Sequence, residues 1–218
     1  MAIGHHGING PFRGKVGTIV GYTLNGQQVM RAVGKRKRPF TKLELLNQAK
    51  MKAVSKFLGP INTVVKFGYQ REAPPGSRVG AFQLAQSYVR KNAIDYDEEE
   101  SPFVNPAKVL ISRGDLEPPR NGRATYEDNR LTIRWDHQSG NARGEDRLLL
   151  LLYDGDMFRY LREVGAARRE GTETVVIDAL RTIKQPVHVY AAFQNSFSDR
   201  ISDSVYCGAL MPGEAGGH

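Results

Sequence analysis

Residues 14–33, GKVGTIVGYTLNGQQVMRAV, predict a β-hairpin that the rest of the chain has to support. Asn25-Gly26 favours a two-residue type I′ turn, because both residues accept a positive φ, and the flanking segments are rich in Val, Ile, Thr and Tyr. A two-residue turn fixes the pairing, which places Tyr22 opposite Val29. An isolated hairpin is only marginally stable in water, so this one needs a partner.

The two faces of the predicted hairpin differ in the size of their side chains. One face carries larger side chains: Val16, Thr18, Val20, Tyr22, Leu24, Val29 and Val33. The other is nearly flat: Gly17, Ile19, Gly21, Met30, Ala32 and Gly34. Glycine inside a strand marks a bulge or a close backbone approach, so we expect a neighbour against the flat face. The ribbon either packs on the chain's own helices or docks on another subunit or on nucleic acid. The docking alternative gives these candidate assembly residues: Gly17, Ile19, Gly21, Val29, Met30 and Ala32.

The composition is typical of a globular protein. A chain of 218 residues with 40% hydrophobic residues can form one large or two small domains. Cys207 is the only cysteine, so no internal disulfide is expected. The first ten residues lack a basic segment followed by an apolar one, and the longest apolar run, residues 148–153, has six residues. We therefore expect no secretion signal, no membrane partner, and a cytoplasmic or virion-associated protein.

The charge is unevenly distributed along the chain. Residues 1–94 carry sixteen lysines and arginines against two glutamates, a net charge of +14, whereas residues 95–218 have a net charge of −6. This asymmetry fits a basic face for nucleic acid, a basic face for an acidic partner, or head-to-tail self-association of oppositely charged halves. The charge pattern alone does not distinguish these three interpretations.

A basic run and three predicted helices follow the hairpin. The run Lys35-Arg36-Lys37-Arg38 is read as a solvated linker or as a contact to phosphates or to an acidic partner. Thr41 and Glu44 match a capping box, which predicts a helix that starts there and ends at Gly59-Pro60. Helices are also predicted over residues 61–69 and 81–94. The candidate phosphate or acidic-partner contacts are Lys35, Arg36, Lys37, Arg38, Lys52 and Lys56.

The second half of the chain predicts a β-sandwich. Residues 95–106, which begin DYDEEE and contain two prolines, are interpreted as a linker between a basic hairpin-and-helix domain (1–94) and the sandwich (107–210), with a flexible tail at 211–218. The expected fold class is therefore α+β. Strands are predicted at residues 108–112, 123–127, 130–136, 147–153, 157–163, 174–179, 187–194 and 204–207.

The predicted strand 147–153, RLLLLLY, is apolar on both faces. Its outer face is either covered by the helical half or part of a subunit interface. The second alternative adds Leu149 and Leu151 to the candidate assembly residues.

Two resemblances rest on particular residues. Trp135 and the segment VHVYAAFQNSFSDRISDSVY (187–206) resemble the inner tryptophan and the last two strands of fibronectin type III or immunoglobulin-like sandwiches, although Pro186 stands where those domains place a corner tyrosine. Nearly the whole chain resembles a family of roughly 200-residue proteins of unknown function from Bacteroidota and their phages and mobile elements. The matching pieces are Gly10-Pro11-Phe12, GKVGTIVGY, VMRAV, NQAK, VLISRGDL, LTIRWD and the segment from VHVYAAF to SVY. The resemblance implies a hairpin-and-helix head with an immunoglobulin-like tail.

The sequence does not predict an enzyme. Ser196, Ser198 and Ser202 have only His188 nearby, and that residue is expected to point outward on a strand. Asp154-Gly155-Asp156 lacks further carboxylates for calcium and reads as a turn. We expect no metal and no cofactor. The leading interpretation is a structural or assembly protein, self-associating or decorating a larger, phage-derived particle, and the alternative is nucleic-acid binding through the basic half.

Overall fold

The computed structural model describes residues 2–3, 12–24, 26–73, 79–136 and 143–211. In these ranges the chain forms three α-helices and thirteen strands, and the strands pair in four antiparallel sheets. The helices are α1 (Lys42–Leu58), α2 (Asn62–Gly68) and α3 (Ala81–Asn92). The strands are β1 (Ala2–Ile3), β2 (Gly14–Val16), β3 (Ile19–Leu24), β4 (Gln27–Ala32), β5 (Ile94–Tyr96), β6 (Pro102–Val104), β7 (Arg123–Glu127), β8 (Arg130–Arg134), β9 (Arg147–Tyr153), β10 (Phe158–Arg162), β11 (Thr172–Val176), β12 (Val187–Gln194) and β13 (Val205–Leu210). The predicted α+β class is confirmed.

The N-terminal sheet has the strand order β1-β4-β3-β2. The predicted hairpin is present with the expected register, since Tyr22 pairs with Val29. Its first strand is not continuous, which corrects the prediction: Gly17 has a φ of +58°, and the chain turns back there so that Val16 pairs with Ile19. Asn25 lies outside the described residues.

The helices begin and end close to the predicted positions. At the start of α1 the Thr41 hydroxyl accepts a hydrogen bond from the Glu44 N–H, and the Glu44 carboxylate accepts one from the Thr41 N–H, so the predicted capping box is confirmed. The buried residues of α1 lie in its last two turns: Val54, Phe57 and Leu58. They form one apolar cluster with α2, α3 and part of the large C-terminal sheet.

Residues 95–106, predicted as a linker, contain regular structure. β5 and β6 form a short hairpin in which Asp95 pairs with Phe103, and Val104 belongs to the same apolar cluster as α1. The Asp95 carboxylate accepts hydrogen bonds from Lys108 and Asn105, and these bonds lower its pKa. The division of the chain into two domains at this point stays a prediction.

The C-terminal half consists of two sheets that pack face to face. The larger sheet has the order β10-β9-β12-β13 and the smaller one the order β11-β8-β7. Their shared core includes Leu131 and Ile133 from the smaller sheet and Leu150 and Val189 from the larger. Trp135 is buried in this core, where its indole N–H donates to the Arg168 carbonyl.

Two predicted strands differ from the structure. Residues 108–112, predicted as a strand, begin with the last residue of a 3₁₀ turn (Pro106–Lys108) and have no ladder partners. The segment is held instead by Ser112, whose hydroxyl donates to the Ser202 carbonyl. β11 ends at Val176, and a 3₁₀ turn over Asp178–Thr182 replaces the end of the predicted strand 174–179. The predicted tail, apart from Met211, lies outside the described residues.

Strand β9 is buried on both faces by the chain itself. Leu151 belongs to the cluster formed with the helices, and Leu149 packs against Ala192 and Ile201. Leu151 and Leu149 are 0% and 1% exposed. The prediction that these two leucines form an assembly interface is therefore wrong, and the alternative, a strand covered by its own helices and loops, is correct.

None of the helices in the described ranges is both long and apolar enough to cross a membrane.

Candidate assembly interface

The first part of the chain forms an arm that stands apart from the core. We define the N-terminal arm as residues 12–46: β2, β3, β4, the basic run and the first turn of α1. None of its described residues belongs to the three apolar clusters that form the core. Within the described arm only Gly21 and Val29 are buried. The arm therefore contributes little to the packing of the remaining chain.

The arm exposes an unusual number of large apolar side chains. Val16, Leu43 and Leu45 are 65%, 68% and 51% exposed. The others are exposed by 42–46%: Ile19, Val33 and Phe40. Single exposed apolar residues are ordinary, but a contiguous patch of them marks an interaction surface.

A row of exposed apolar residues crosses the N-terminal sheet (β1-β4-β3-β2), which we call the arm sheet. Ile19 in β3 pairs with Val16 in β2 on one side and with Ala32 in β4 on the other. Directly paired residues point to the same face of a sheet, so these three side chains lie side by side. All three are exposed. This apolar row consists of Val16, Ile19 and Ala32.

The two candidate glycines of the arm serve different purposes. Gly21 has the close neighbour that the sequence predicted, and that neighbour is Phe12 of the same chain. A Cβ atom at Gly21 would overlap the Phe12 carbonyl oxygen and lie 2.9 Å from its ring. Gly17 has open space around it and occupies the turn between β2 and β3, where its φ of +58° favours glycine. Gly17 is thus a turn residue and not part of a flat face.

The remaining candidate assembly residues are divided between surface and interior. Ile19 and Ala32 are exposed, Met30 is half-buried beside Gly21, and Val29 is only 1% exposed on the opposite face. The accessible part of the predicted interface is therefore the apolar row with Met30 at its border. Val16 was missed, because the turn that brings it beside Ile19 was read as continuous strand.

The edges of the arm sheet are short. β1 has two residues and β2 has three, and β2 carries Lys15 at its centre. Very short edge strands and edge lysines are common means of preventing edge-to-edge pairing. The apolar row on the face of the sheet is therefore a better candidate contact than the edges of the sheet.

The basic run is partly neutralised within the arm. Glu44 accepts a hydrogen bond from Arg36 at 2.6 Å and lies 3.8 Å from Arg38, and the Arg36 guanidinium lies 3.9 Å from the centre of the Phe40 ring. The hydrogen bond from the Thr41 N–H, followed by that from Arg36, lowers the pKa of Glu44. Two of the four cations of the run thus have partners.

The other candidate cations differ in their surroundings. Lys56 forms an ion pair with Asp156 at 3.1 Å. Lys35, Lys37 and Lys52 are exposed and have no side-chain partner in the part of the chain that the structure describes. Lys35 and Lys37 are consequently the basic side chains of the run that are available to another molecule.

Two of the three serines considered from the sequence, Ser198 and Ser202, and the histidine have structural contacts. Ser202 is buried, and its hydroxyl accepts from the Phe193 N–H and donates to the Asp203 carbonyl. The Ser198 hydroxyl donates to Asn195. His188 Nδ1 lies 3.0 Å from the Tyr206 hydroxyl, and burial lowers the pKa of the imidazole.

The carboxylates of the Asp154-Gly155-Asp156 turn are also engaged. Asp154 accepts from two backbone N–H groups and two side chains, and Asp156 pairs with Lys56. Over the described ranges, no three His, Cys, Asp or Glu side chains converge in a way that could hold a metal ion.

Comparison with known proteins gives one finding at the level of families. A family model described as a family of unknown function (DUF6266) matches residues 11–208. Comparisons with the curated proteins and with the solved structures give no match.

Proposed function

The chain belongs to the DUF6266 family of unknown function, and from its geometry we propose that it is a non-enzymatic structural protein that self-associates through its N-terminal arm. The carrying observation is the arm itself, which lies outside the core clusters and exposes six large apolar side chains: Val16, Ile19, Val33, Phe40, Leu43 and Leu45. Removing this surface from water favours association at about 25 cal/mol per Å² of apolar area.

The apolar row suits a symmetric contact between two copies. A two-fold axis through the row would bring Ile19 of one copy against Ile19 or Val16 of the other, with identical patches on both sides. Such a contact leaves the sandwich of each copy free on the outside. This arrangement supports a subunit that builds or decorates a larger particle.

The finer features of the sequence interpretation are part of the same proposal. We place the C-terminal half among the immunoglobulin-like sandwiches, on the strength of its two packed sheets and the buried Trp135. We also propose an origin in Bacteroidota and their phages, and a cytoplasmic or virion-associated setting. The expected partners are further copies of this chain or other particle proteins, with no cofactor.

The test compares aspartate substitutions at matched exposed positions. Ile19→Asp and Val16→Asp place a charge in the apolar row. Val176→Asp is the control, because Val176 is 62% exposed on β11, away from the arm. In sedimentation velocity over a range of concentrations, we expect the wild type and the control to associate equally. The dissociation constant of each row variant should be at least tenfold higher than that of the wild type.

Two results would contradict the proposed function. The first is a wild-type protein that stays monomeric at every concentration, because the proposed self-association would then not exist. Equal effects of all three substitutions would show that association, where present, does not depend on the apolar row. Circular dichroism of each variant confirms that the fold is retained.

A second candidate function, nucleic-acid binding, rests on a different observation. The first 43 residues contain eight lysines and arginines and no acidic residue. Lys35 and Lys37 have no partner among the described residues. Cations in this arrangement contact phosphates without reading base sequence.

A further inference from the structure

The outer face of the smaller C-terminal sheet is polar throughout most of its area. Alternate residues of β7, β8 and β11 point inward, as the burial of Leu131, Ile133 and Val175 shows. The other residues of these strands point to solvent. We call them the polar sheet face: Arg123, Thr125, Glu127, Arg130, Thr132, Arg134, Thr172, Thr174 and Val176.

The register arranges this face in three rows across the strands. The two-residue turn at Asp128 and Asn129, with φ values of 47° and 63°, fixes the pairing of β7 with β8. The first row is Arg123, Arg134 and Thr172; the second is Thr125, Thr132 and Thr174; the third is Glu127, Arg130 and Val176.

Two arginines directly opposite each other are electrostatically unfavourable. Like charges at paired positions of neighbouring strands destabilise a sheet, and the third row avoids this by setting Glu127 opposite Arg130. Arg123 and Arg134 have no such compensation, since neither forms an ion pair with any described residue. The first row therefore places two positive charges side by side, and neither has an ion-pair partner among the described residues.

The acidic residues next to this pair are engaged elsewhere. Asp136 accepts a hydrogen bond from the Asn121 amide at 2.5 Å, and Glu170 accepts one from the Ala167 N–H at 2.9 Å. Both residues line the same depression as Arg123 and Arg134. The two carboxylates reduce the net charge of the depression, but neither forms an ion pair with Arg123 or Arg134.

The depression over the first two rows is large enough for a small ligand. Its volume is about 780 Å³, and it is lined by the arginine pair, Thr125, Thr132 and Thr172. None of the nine residues of the polar sheet face is aromatic, and Trp135, which also lines the depression, is buried in the core with 5% exposure, so the face offers no open ring for stacking on a base or a sugar. Recognition on this face has to rely on charge and hydrogen bonds.

We propose that the polar sheet face binds an oxyanion, a phosphate or sulfate ester, between Arg123 and Arg134. Guanidinium groups bind the oxygens of such anions through paired N–H donors, and an anion between them removes their mutual repulsion. In the row of threonines beside the pair, the Thr132 and Thr174 hydroxyls hydrogen-bond each other at 3.1 Å, and one of the two keeps its proton for a ligand, as does the Thr125 hydroxyl. A ligand with hydroxyl groups beside the anion fits this row, and a sugar phosphate or a sugar sulfate has this chemistry.

The test uses anions alone and two arginine variants of the full chain. Amide NMR spectra are recorded while inorganic phosphate or sulfate is added, with sodium chloride at equal ionic strength as the reference. We expect shifts at residues of β7 and β8 with either oxyanion. Arg123→Gln and Arg134→Gln each weaken binding tenfold or more. Arg130→Gln is the matched control, because Arg130 lies on the same strand and face but opposite Glu127, and it changes binding less than twofold.

The free variants give an independent readout. Removing one of two opposed charges relieves repulsion, so Arg123→Gln raises the melting temperature of the free protein by about 1 °C and reduces the further rise on adding phosphate. The absence of oxyanion-specific shifts on β7 and β8 overturns the proposal, as does an Arg130→Gln variant that binds as weakly as the other two.

Glucose 6-phosphate and glucose 6-sulfate test the ligand that carries the anion. Binding tighter than that of the inorganic anion, and lost in Thr132→Val, supports the role of the threonine row. Equal affinities of the sugar esters and the inorganic anions overturn that part of the proposal. Comparing the two esters shows which oxyanion the face prefers.

Discussion

At the scale of single residues, the Asp154 carboxylate organises the turn between β9 and β10. Its side chain is fully buried. It accepts hydrogen bonds from the N–H groups of Asp156 and Met157, from the Arg159 guanidinium at 2.5 Å and from the Gln185 amide at 2.8 Å. Burial raises the pKa of this carboxyl, and the hydrogen bonds from Met157, Asp156 and Arg159 outweigh burial, so the net direction is downward.

We predict that Asp154→Asn destabilises the protein by about 2–3 kcal/mol at pH 7, because hydrogen bonds to a charged acceptor are lost and Arg159 keeps no counter-charge. Asp156→Asn is the matched control. Asp156 lies in the same turn but its side chain is 58% exposed in its ion pair with Lys56, so its loss costs well under 1 kcal/mol. Urea unfolding of the three proteins measures both values.

The pH dependence of the Asp154 contribution has a definite sign. The folded pKa is lower than the unfolded value of about 3.9, so the charged form stabilises the fold fully above that value. The stabilisation is lost as the pH falls through the folded pKa. The difference between the wild type and Asp154→Asn should therefore shrink below about pH 4. A difference that stays constant down to pH 3 would contradict this assignment.

At the scale of elements, the arm sheet should unfold separately from the remaining chain. None of the described arm residues joins the core clusters. In a two-residue hairpin of this register, Tyr22 and Val29 exchange backbone hydrogen bonds, and proline at position 29 removes one of them. We predict that Val29→Pro disrupts the arm sheet while the main thermal transition shifts by less than about 2 °C.

Limited trypsin digestion measures the local effect of Val29→Pro. Cleavage after Lys15 and Arg31, which lie in the arm sheet, should become at least tenfold faster than in the wild type. Leu58→Ala serves as the contrasting variant, because Leu58 is 0% exposed in α1, and its truncation should cost about 2–5 kcal/mol in the main transition. A large fall in melting temperature for Val29→Pro would show that the arm is part of the core.

The elements also show how far the sequence can predict this fold. The hairpin register, the capping box of α1 and strand β9 follow from local chemistry: a turn dipeptide, an N-cap pair and a run of β-forming residues. The break at Gly17 was missed, because glycine in a strand and glycine in a turn look alike until pairing is known. Residues 108–112 were wrongly predicted as a strand. Their polar groups bond to distant serines and not to a neighbouring strand, and sequence periodicity does not reveal such contacts.

The candidate interface was predictable only in part. Ile19 and Ala32 followed from the register, and their exposure is consistent with an interface. Leu149 and Leu151 were assigned wrongly, because an apolar strand gives no indication of whether its own helices or another subunit cover it. The arginine pair at 123 and 134 was overlooked, although the alternation in RATYEDNRLTIR places both side chains on the outer face.

At the scale of the whole molecule, nearly all of the net charge resides in the N-terminal arm, which carries eight basic residues and one glutamate. The chain has a formal net charge of +8, and its first 43 residues alone account for all of it. Residues 44–218 carry twenty-three basic and twenty-three acidic residues. The arm is both basic and apolar, so salt dependence distinguishes the two candidate functions. Salt weakens phosphate contacts through counterion release but does not weaken apolar association.

The last prediction uses this difference and the two unpaired lysines of the basic run. Lys35→Gln/Lys37→Gln removes two charges without disturbing Arg36, which supports the Glu44 cap of α1. Lys66→Gln/Lys91→Gln is the matched control, with the same charge removed from exposed positions on α2 and α3. Sedimentation and duplex DNA binding are measured for each protein at 50 and 200 mM salt.

Assembly through the apolar row predicts that association of all three proteins is equal and does not fall with salt. Nucleic-acid binding through the run predicts that the log–log salt slope flattens by up to about two units in Lys35→Gln/Lys37→Gln only, at about 0.9 per phosphate contact. Because Arg36 and Arg38 already lie beside Glu44, the run offers two free cations instead of four, and we expect weak DNA binding beside unchanged assembly. A third outcome would contradict the apolar contact: salt weakens the association, Lys35→Gln/Lys37→Gln abolishes it, and the control retains it. That result would indicate a charge contact between the arm and an acidic surface of the next copy.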